Sequence, residues 1–421
     1  MISDLLMNSP FSATTWLILF LFSEYALEAV SDLLNLSRLD GHIPQEFSGL
    51  YDSEKYKQSI RYQKEGTAFH LWSSTLQWIS LALFIGGGGL NWADQWVRSF
   101  SLSPILTGVC FAGVLSALKL LIQLPFSIYH TFYFEAKYGF NKTTVATFLG
   151  DLAKGIVVGS LLGGLVFSGL IAFFEYTGEG AWLFSWIALS LFQLLLLYLA
   201  PALIMPLFNR FTPLPEGELK EAISAYAKKR NFQLSGIFTM DGSKRSTKAN
   251  AFFTGFGRFR KLVFFDTLLT QQTVEEIIAI LAHEMGHFER KHIQRSILLS
   301  ILTSGFIFYS LKFFINHPLL FKAFQLQTPS TYASLIFAGI VYGPILKIFS
   351  IFTQMISRKH EFEADAFARE TLGQPEVLIS ALKKLSVHHL SHLNPHPLKV
   401  ILDYSHPPIL ERIRALRNRP Q

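Results

Sequence analysis

The chain has 421 residues, of which 50% are hydrophobic and 16% charged, and its formal net charge is +7. Soluble globular domains carry about 25% charged residues, so this balance argues against a disordered chain and against an ordinary soluble enzyme. The single cysteine, Cys110, excludes intrachain disulfides, zinc sites with several cysteines and a redox pair. Because the basic residues lie in loops beside long apolar blocks, membrane topology explains the positive charge better than nucleic-acid binding.

The apolar blocks come first in chain order. A transmembrane helix needs about 20 mostly apolar residues, and seven segments qualify: 11–36, 69–90, 104–126, 156–174, 182–203, 297–315 and 332–356. Lys and Arg are concentrated after the first, third, fifth and seventh segments. The positive-inside rule therefore predicts an external N-terminus, a cytosolic stretch from Asn209 to Arg295 and a cytosolic C-terminus. The predicted division is a membrane part at 1–208 and a part at 209–421 that contains the last two segments.

Three acidic residues interrupt the first apolar segment. Glu24, Glu28 and Asp32 follow one another at intervals of four, so they share one helix face. Charges at this depth are costly unless they meet water or a partner. One interpretation is snorkelling at helix ends and pairing between helices. The interpretation we favour is a water-filled interior lined by such faces.

A metal-binding motif lies on a predicted helix over 273–292. His283 and His287 are four residues apart and project from the same face, so they can chelate one zinc ion. Glu284 follows the first histidine and can take a proton from the attacking water. The alternative is a pair of surface histidines on a solvated helix.

A catalytic zinc needs a third protein ligand. Glu361 and Asp365 are four residues apart directly after the last apolar segment, so both face the same way. Glu361 can bind the metal while Asp365 supports a ligand histidine, and Glu363 is predicted to point elsewhere. The alternative is an ordinary acidic helix start.

The remaining histidines are mostly predicted to be surface or packing residues, without a second metal: His292, His360, His388, His389, His392 and His396. His406 differs, because the two prolines that follow it stiffen the backbone. A rigid imidazole there could stabilise an oxyanion, or could simply pack the turn. Strands are predicted at 235–240 and 261–265, where an extended peptide could dock at a sheet edge.

These motifs, with several others in the same order, resemble the type I CAAX prenyl proteases, which are integral-membrane zinc metallopeptidases. The resemblance runs from about residue 135 to residue 412. Besides the histidine motif it rests on the segments 135–142, 206–214, 241–246, 250–255, 265–269, 361–365 and 406–408. One departure is Lys248, which stands two residues before Asn250 where a histidine is expected.

The resemblance implies a mainly α, polytopic fold in which seven transmembrane helices form a barrel around a water-filled chamber. A cytosolic α+β metallopeptidase domain would hold one Zn²⁺ per chain at the end of that chamber. It implies His283, His287 and Glu361 as the metal ligands and Glu284 as the general base. It further implies Asn250 and His406 as substrate or transition-state contacts, and Asp365 and Arg412 as a supporting pair.

The predicted activity is peptide-bond cleavage, in this family at the C-terminal tripeptide of prenylated proteins. The predicted partners are a peptide or protein substrate and the lipid bilayer, with no nucleic acid. Membrane-protein quality control by the same chemistry is the nearest alternative, and a non-catalytic scaffold or transporter is a further one. The tail Arg417–Gln421 lacks a dilysine-type retrieval signal, which favours a bacterial inner membrane over the endoplasmic reticulum.

Overall fold

The structure is a computed structural model that describes residues 12–254 and 260–418. Phe11, Gly255 and the tail from Arg419, which entered the predictions above, lie outside the described residues. The described part is mainly helical, with sixteen α-helices and one four-stranded sheet. The helices before residue 209 are α1 (Ala13–Leu36), α2 (Ser53–Gly86), α3 (Gly89–Arg98), α4 (Pro104–Tyr129), α5 (Val145–Tyr176), α6 (Ala181–Leu199) and α7 (Met205–Phe208).

The second part contains the sheet and the remaining helices. Its elements are β1 (Phe211–Pro213), α8 (Glu218–Lys229), β2 (Gly236–Met240), β3 (Ala251–Thr254), β4 (Lys261–Phe265), α9 (Asp266–Gln271), α10 (Val274–Glu289), α11 (His292–Leu311), α12 (Pro318–Ala323), α13 (Thr331–Leu372), α14 (Pro375–His388), α15 (Pro397–Asp403) and α16 (Ile409–Arg417). The strand order is β1-β2-β4-β3, with β2 and β4 parallel and the outer pairs antiparallel. β3 is therefore an edge strand, and neither β1 nor β3 was predicted as a strand.

Helices occupy all seven predicted membrane segments, but the count of seven spans is not confirmed. By length and composition, five described stretches could cross a membrane: Ser53–Gly86, Pro104–Glu135, Val145–Tyr176, Gly178–Phe208 and Thr331–Leu372. α1 and α11 are not among them. α1 carries three carboxyl groups within its apolar segment, and α11 begins with a polar turn.

The acidic face of α1 forms ion pairs with other elements. Glu28 accepts a hydrogen bond from Lys347 Nζ at 2.8 Å, and Lys347 also binds Asp403 at 2.7 Å. Asp32 lies 2.8 Å from His70 Nδ1 and 2.5 Å from Lys399 Nζ. Two of the three acids are thus paired between helices, as the first interpretation of this face proposed. The water-filled chamber stays a prediction.

Arg245 joins the two parts of the chain. Its guanidinium donates two hydrogen bonds to Asp151 on α5, at 2.7 and 2.9 Å, and one to Asn209 at 3.0 Å. A paired guanidinium fork fixes orientation as well as distance. The loop between β2 and β3 is therefore anchored to the membrane helices.

The local sequence explains where α10 begins and ends. Thr273 and Glu276 form a capping box that satisfies two backbone N–H groups at the helix start. The predicted helix over 273–292 ends early, at Glu289, because Lys291 adopts a left-handed conformation with φ of 57°. This turn redirects the chain, and His292 begins α11 instead of ending α10.

A glycine allows α10 to pack closely against α13. A Cβ atom at Gly286 would lie 2.9 Å from Ala364 Cα and 3.0 Å from Ala364 O, which is too close for any larger residue. The two small residues let the backbones approach, so histidines from α10 and carboxylates from α13 can meet. Sequence analysis did not single out Gly286.

Candidate active site

The predicted ligands come together between α10 and α13. His283 Nε2 and His287 Nε2 are 3.2 Å apart, as expected for two histidines one helical turn apart. Glu361 Oε2 lies 3.4 Å from His283 Nε2, and its Oε1 lies 3.3 Å from His287 Nε2. Both imidazoles and the carboxylate therefore point at one small volume.

These three side chains could hold one metal ion. Glu361 is buried, and its Oε2 accepts no hydrogen bond from the described residues, with Arg412 Nη1 3.4 Å away as an ion-pair partner. A buried carboxylate oxygen without a hydrogen bond is costly, and a cation in the shared volume would compensate it. Two imidazole nitrogens and one carboxylate form a donor set that suits a catalytic metal with an open position.

Asp365 and Arg412 brace the first histidine from behind. Asp365 Oδ1 lies 2.9 Å from His283 Nδ1, and Arg412 binds both Asp365 oxygens at 2.7 and 2.8 Å. Burial lowers the pKa of His283, but the neighbouring carboxylates of Asp365 and Glu361 outweigh burial and raise the pKa to about 9. The His283 ring therefore sits in surroundings that favour a bound cation, whether a proton or a metal ion.

Glu284 lines a cavity beside the ligand cluster. The cavity measures about 450 Å³, and its lining includes His287, Phe252 and Phe253. Burial raises the pKa of the Glu284 carboxyl above its ordinary value. A carboxylate with a raised pKa is a better proton acceptor near neutral pH, which suits a general base.

His406 reaches the same cluster from the C-terminal segment. Its Nε2 lies 3.3 Å from Glu361 Oε1, and its side chain is 63% exposed, so a substrate can touch it. Arg358 holds the preceding turn by donating to the carbonyls of Val400 and Tyr404, at 2.8 and 2.7 Å. The imidazole is thus presented by a tethered backbone.

Lys248 and Asn250 lie directly before the edge strand β3. Asn250 is exposed, and its Oδ1 accepts from Ala251 N at 2.8 Å. Lys248 Nζ binds Glu135 and the Tyr62 hydroxyl, each at 3.0 Å. The residue that departs from the family pattern therefore anchors the start of β3 to the membrane helices.

Most of the other histidines are dispersed, but His292 lies beside a predicted ligand. His392 contacts a backbone carbonyl at Asn35, and His389 accepts from Ala249 N at 3.0 Å. His292, by contrast, lies 3.1 Å from His287 and 2.9 Å from Glu363. Glu363, predicted to point elsewhere than Glu361 and Asp365, is not among the three converging side chains. It contacts His292, which the sharp turn before α11 places between Glu363 and His287.

Comparison with known protein families covers nearly the whole chain. The family described as CAAX prenyl protease N-terminal, five membrane helices, matches residues 32–210, and Peptidase family M48 matches residues 213–420. The CAAX prenyl protease 1 homolog of Arabidopsis thaliana is 32% identical over 421 residues, which is 97% of this chain and 98% of that protein. CAAX prenyl protease 1 of Saccharomyces cerevisiae is 35% identical over 337 residues, covering 76% of this chain and 74% of that protein.

A solved structure agrees with this result. The crystal structure of S. mikatae Ste24p superposes with a TM-score of 0.92 at 29% identity, covering 97% of this chain and 100% of that one. The predicted family and enzyme class are confirmed. The chain is a multi-pass membrane metallopeptidase and belongs to the CAAX prenyl protease family, Peptidase family M48.

Proposed function

We propose that the metal is zinc, one ion per chain, and that the enzyme cleaves the C-terminal tripeptide from prenylated proteins. The observation that carries the proposal is the convergence of His283, His287 and Glu361 within 3.4 Å of one another, with one Glu361 oxygen left without a hydrogen bond. The names of the relatives support the substrate class.

The roles of the side chains follow from their positions. A bound zinc ion would polarise the scissile carbonyl and make water a stronger nucleophile. Glu284 accepts a proton from the attacking water and then gives it to the leaving amine. His406, on its tethered turn, donates a hydrogen bond to the oxyanion as negative charge develops. Asp365 and Arg412 keep His283 in position.

An extended substrate can bind along the free edge of strand β3. β3 pairs with β4 on one side only, so its other edge is free among the described residues to pair with a peptide. Phe252 and Phe253 of this strand also line the cavity that contains Glu284. Asn250, exposed at the start of the strand, can contact the same peptide.

The catalytic proposal is tested with Glu284→Gln. Purified protein should retain its metal and lose turnover by about 10²- to 10⁴-fold, because the general base is gone while the ligands remain. The assay uses a farnesylated CAAX peptide beside its unprenylated twin of the same sequence. Preference for the farnesylated peptide supports the substrate class. Equal turnover of the two would favour the quality-control alternative.

We further propose that the chain divides near residue 208 and that the active site faces the cytosol. The Lys and Arg distribution supports this orientation. In a Cys110→Ser background, a cysteine at exposed Glu179 should react with an impermeant reagent from outside, and one at exposed Lys229 only from inside. External labelling at Lys229 would contradict the orientation. The bacterial inner membrane stays a prediction, which fractionation of the source cells would test.

A further inference from the structure

The two ligand histidines are braced in different ways. His283 Nδ1 contacts a carboxylate directly, Asp365 Oδ1 at 2.9 Å. His287 Nδ1 instead lies 3.1 Å from His292 Nδ1, and His292 Nε2 lies 2.9 Å from Glu363 Oε2. Glu363 is therefore separated from its ligand histidine by one further imidazole, that of His292.

Only one placement of the ring protons gives every contact in this series a donor and an acceptor. His287 turns Nε2 towards the shared metal volume, so a neutral ring carries its proton on Nδ1. That N–H donates to His292 Nδ1, which must then be an acceptor. His292 consequently carries its proton on Nε2 and donates it to the Glu363 carboxylate. Every donor and acceptor along the line is satisfied with both rings neutral.

The surroundings of His292 hold this arrangement in place. The His292 side chain is 4% exposed, and its ring stacks on His360 with centroids 4.0 Å apart and planes 10° apart. Glu363 is half-buried, and Arg295 Nη1 lies 3.6 Å from its Oε2. A buried imidazole fixed by stacking and a carboxylate held near a guanidinium form a rigid support.

From this geometry we infer that His292 and Glu363 are positioning residues that fix the tautomer and orientation of His287 for metal binding. The inference rests on the proposed assignment of His287 as a ligand. Groups behind a ligand histidine typically change metal affinity by about 10- to 100-fold. A purely structural His292 would instead contribute to the stability of the metal-free protein through its stacking on His360.

The test separates these roles by substitution at one position. His292→Phe keeps an aromatic ring against His360 and removes both nitrogens. His292→Gln retains one acceptor and one donor, so its side chain can still link His287 to Glu363 in part. His388→Phe is the matched control, because His388 is exposed and lies on α14, away from the ligands. Glu363→Gln keeps an acceptor without the charge, and Glu370→Gln on the same helix is its control.

The measurements are the Zn²⁺ dissociation constant, by competition with a chelator, and the melting temperature of the metal-free protein. We expect His292→Phe to weaken Zn²⁺ binding by about 10- to 100-fold and Glu363→Gln to weaken it less. We expect His292→Gln to recover most of the affinity, and both controls to match the wild type. The metal-free melting temperatures should be equal across the series.

Two results would overturn the inference. One is unchanged Zn²⁺ affinity in both His292→Phe and Glu363→Gln. The other is a loss of affinity in His292→Phe that His292→Gln does not restore and Glu363→Gln does not share. His287→Ala distinguishes an error in the roles of His292 and Glu363 from an error in the proposed ligand set. If that variant binds Zn²⁺ as tightly as the wild type, the proposed ligand set itself is wrong.

Discussion

The membrane helices α5 and α6 differ from the helices of the metal site in how much of their surface they bury and in whether they bury charged side chains. α5 and α6 leave nearly all of their apolar residues at least partly exposed, including Leu161 at 68% and Leu191 at 62%. α10 and the last turns of α13 bury apolar residues together with His283, Glu361 and Asp365. The first pair is built for a lipid solvent, whereas the second encloses charge inside protein.

This difference shows where the structure tolerates change. A lipid-facing leucine loses little when truncated, because the surrounding solvent is apolar. A buried ionic group that loses its partner remains desolvated and uncompensated. Substitutions around the metal site should therefore have large and specific effects, and substitutions on the outer helices should have small ones.

After Glu284→Gln, the variant expected to lower turnover most is His406→Ala. Removing one oxyanion donor typically lowers turnover by about 10²- to 10³-fold. The tethered turn before His406 should survive, so metal content and melting temperature should stay near wild type. Single-turnover rates with metal analysis of the same sample check this prediction. Loss of metal would instead make His406 part of the metal-holding shell through its contact with Glu361.

Arg412→Ala should act on the metal and on stability. Its removal leaves Asp365 buried without its bidentate partner, which typically costs about 3–5 kcal/mol. His283 loses its fixed support as well, and we expect Zn²⁺ affinity to fall by about 10- to 100-fold. Thermal unfolding and chelator competition measure the two effects separately. A silent Arg412→Ala would show that the buried ion pair does not brace the site.

A pair of leucine truncations tests the comparison itself. Leu281 is fully buried on α10, so Leu281→Ala should cost about 2–5 kcal/mol. Leu161→Ala, on the exposed face of α5, should stay within about 0.5 kcal/mol. Melting temperatures of both variants in one detergent provide the measurement. Similar losses would mean that α5 packs against protein.

The smallest effect concerns pH. Burial and the nearby charge of Lys248 lower the pKa of His389 to about 4, while its ring accepts a hydrogen bond from Ala249 N. The unfolded chain binds this proton near pH 6.5, so the folded state loses stability as pH falls from about 6.5 towards 4. His389→Gln keeps an acceptor without a proton site. Between pH 7 and pH 5 its melting temperature should fall less than that of the wild type.

Sequence reasoning placed the predicted ligands in two pairs because each pair depends on one helical spacing. His283 and His287 share a face of α10, and Glu361 and Asp365 share a face of α13, so periodicity alone places each pair. The contact between Glu363 and His292 was not predicted, because it depends on a second helix. The left-handed turn at Lys291 puts His292 in front of Glu363, and no periodic signal predicts that turn.

The fold was predicted with the same mixture of success and failure. Long apolar runs identified the membrane helices, but counting them did not weigh the three acids of α1, and seven spans were not confirmed. β1 was missed because three residues carry too little alternation to indicate a strand. The role of Gly286 is to allow close contact with Ala364. That contact arises from packing between two helices, so the local sequence does not reveal it.

The central claim is that His283, His287 and Glu361 together hold one zinc ion. Elemental analysis of purified wild-type protein and of Glu361→Ala, after dialysis against a weak chelator, tests it most directly. We predict one zinc per wild-type chain and little or none in Glu361→Ala. Full zinc occupancy in Glu361→Ala would contradict the claim and remove this carboxylate from the site.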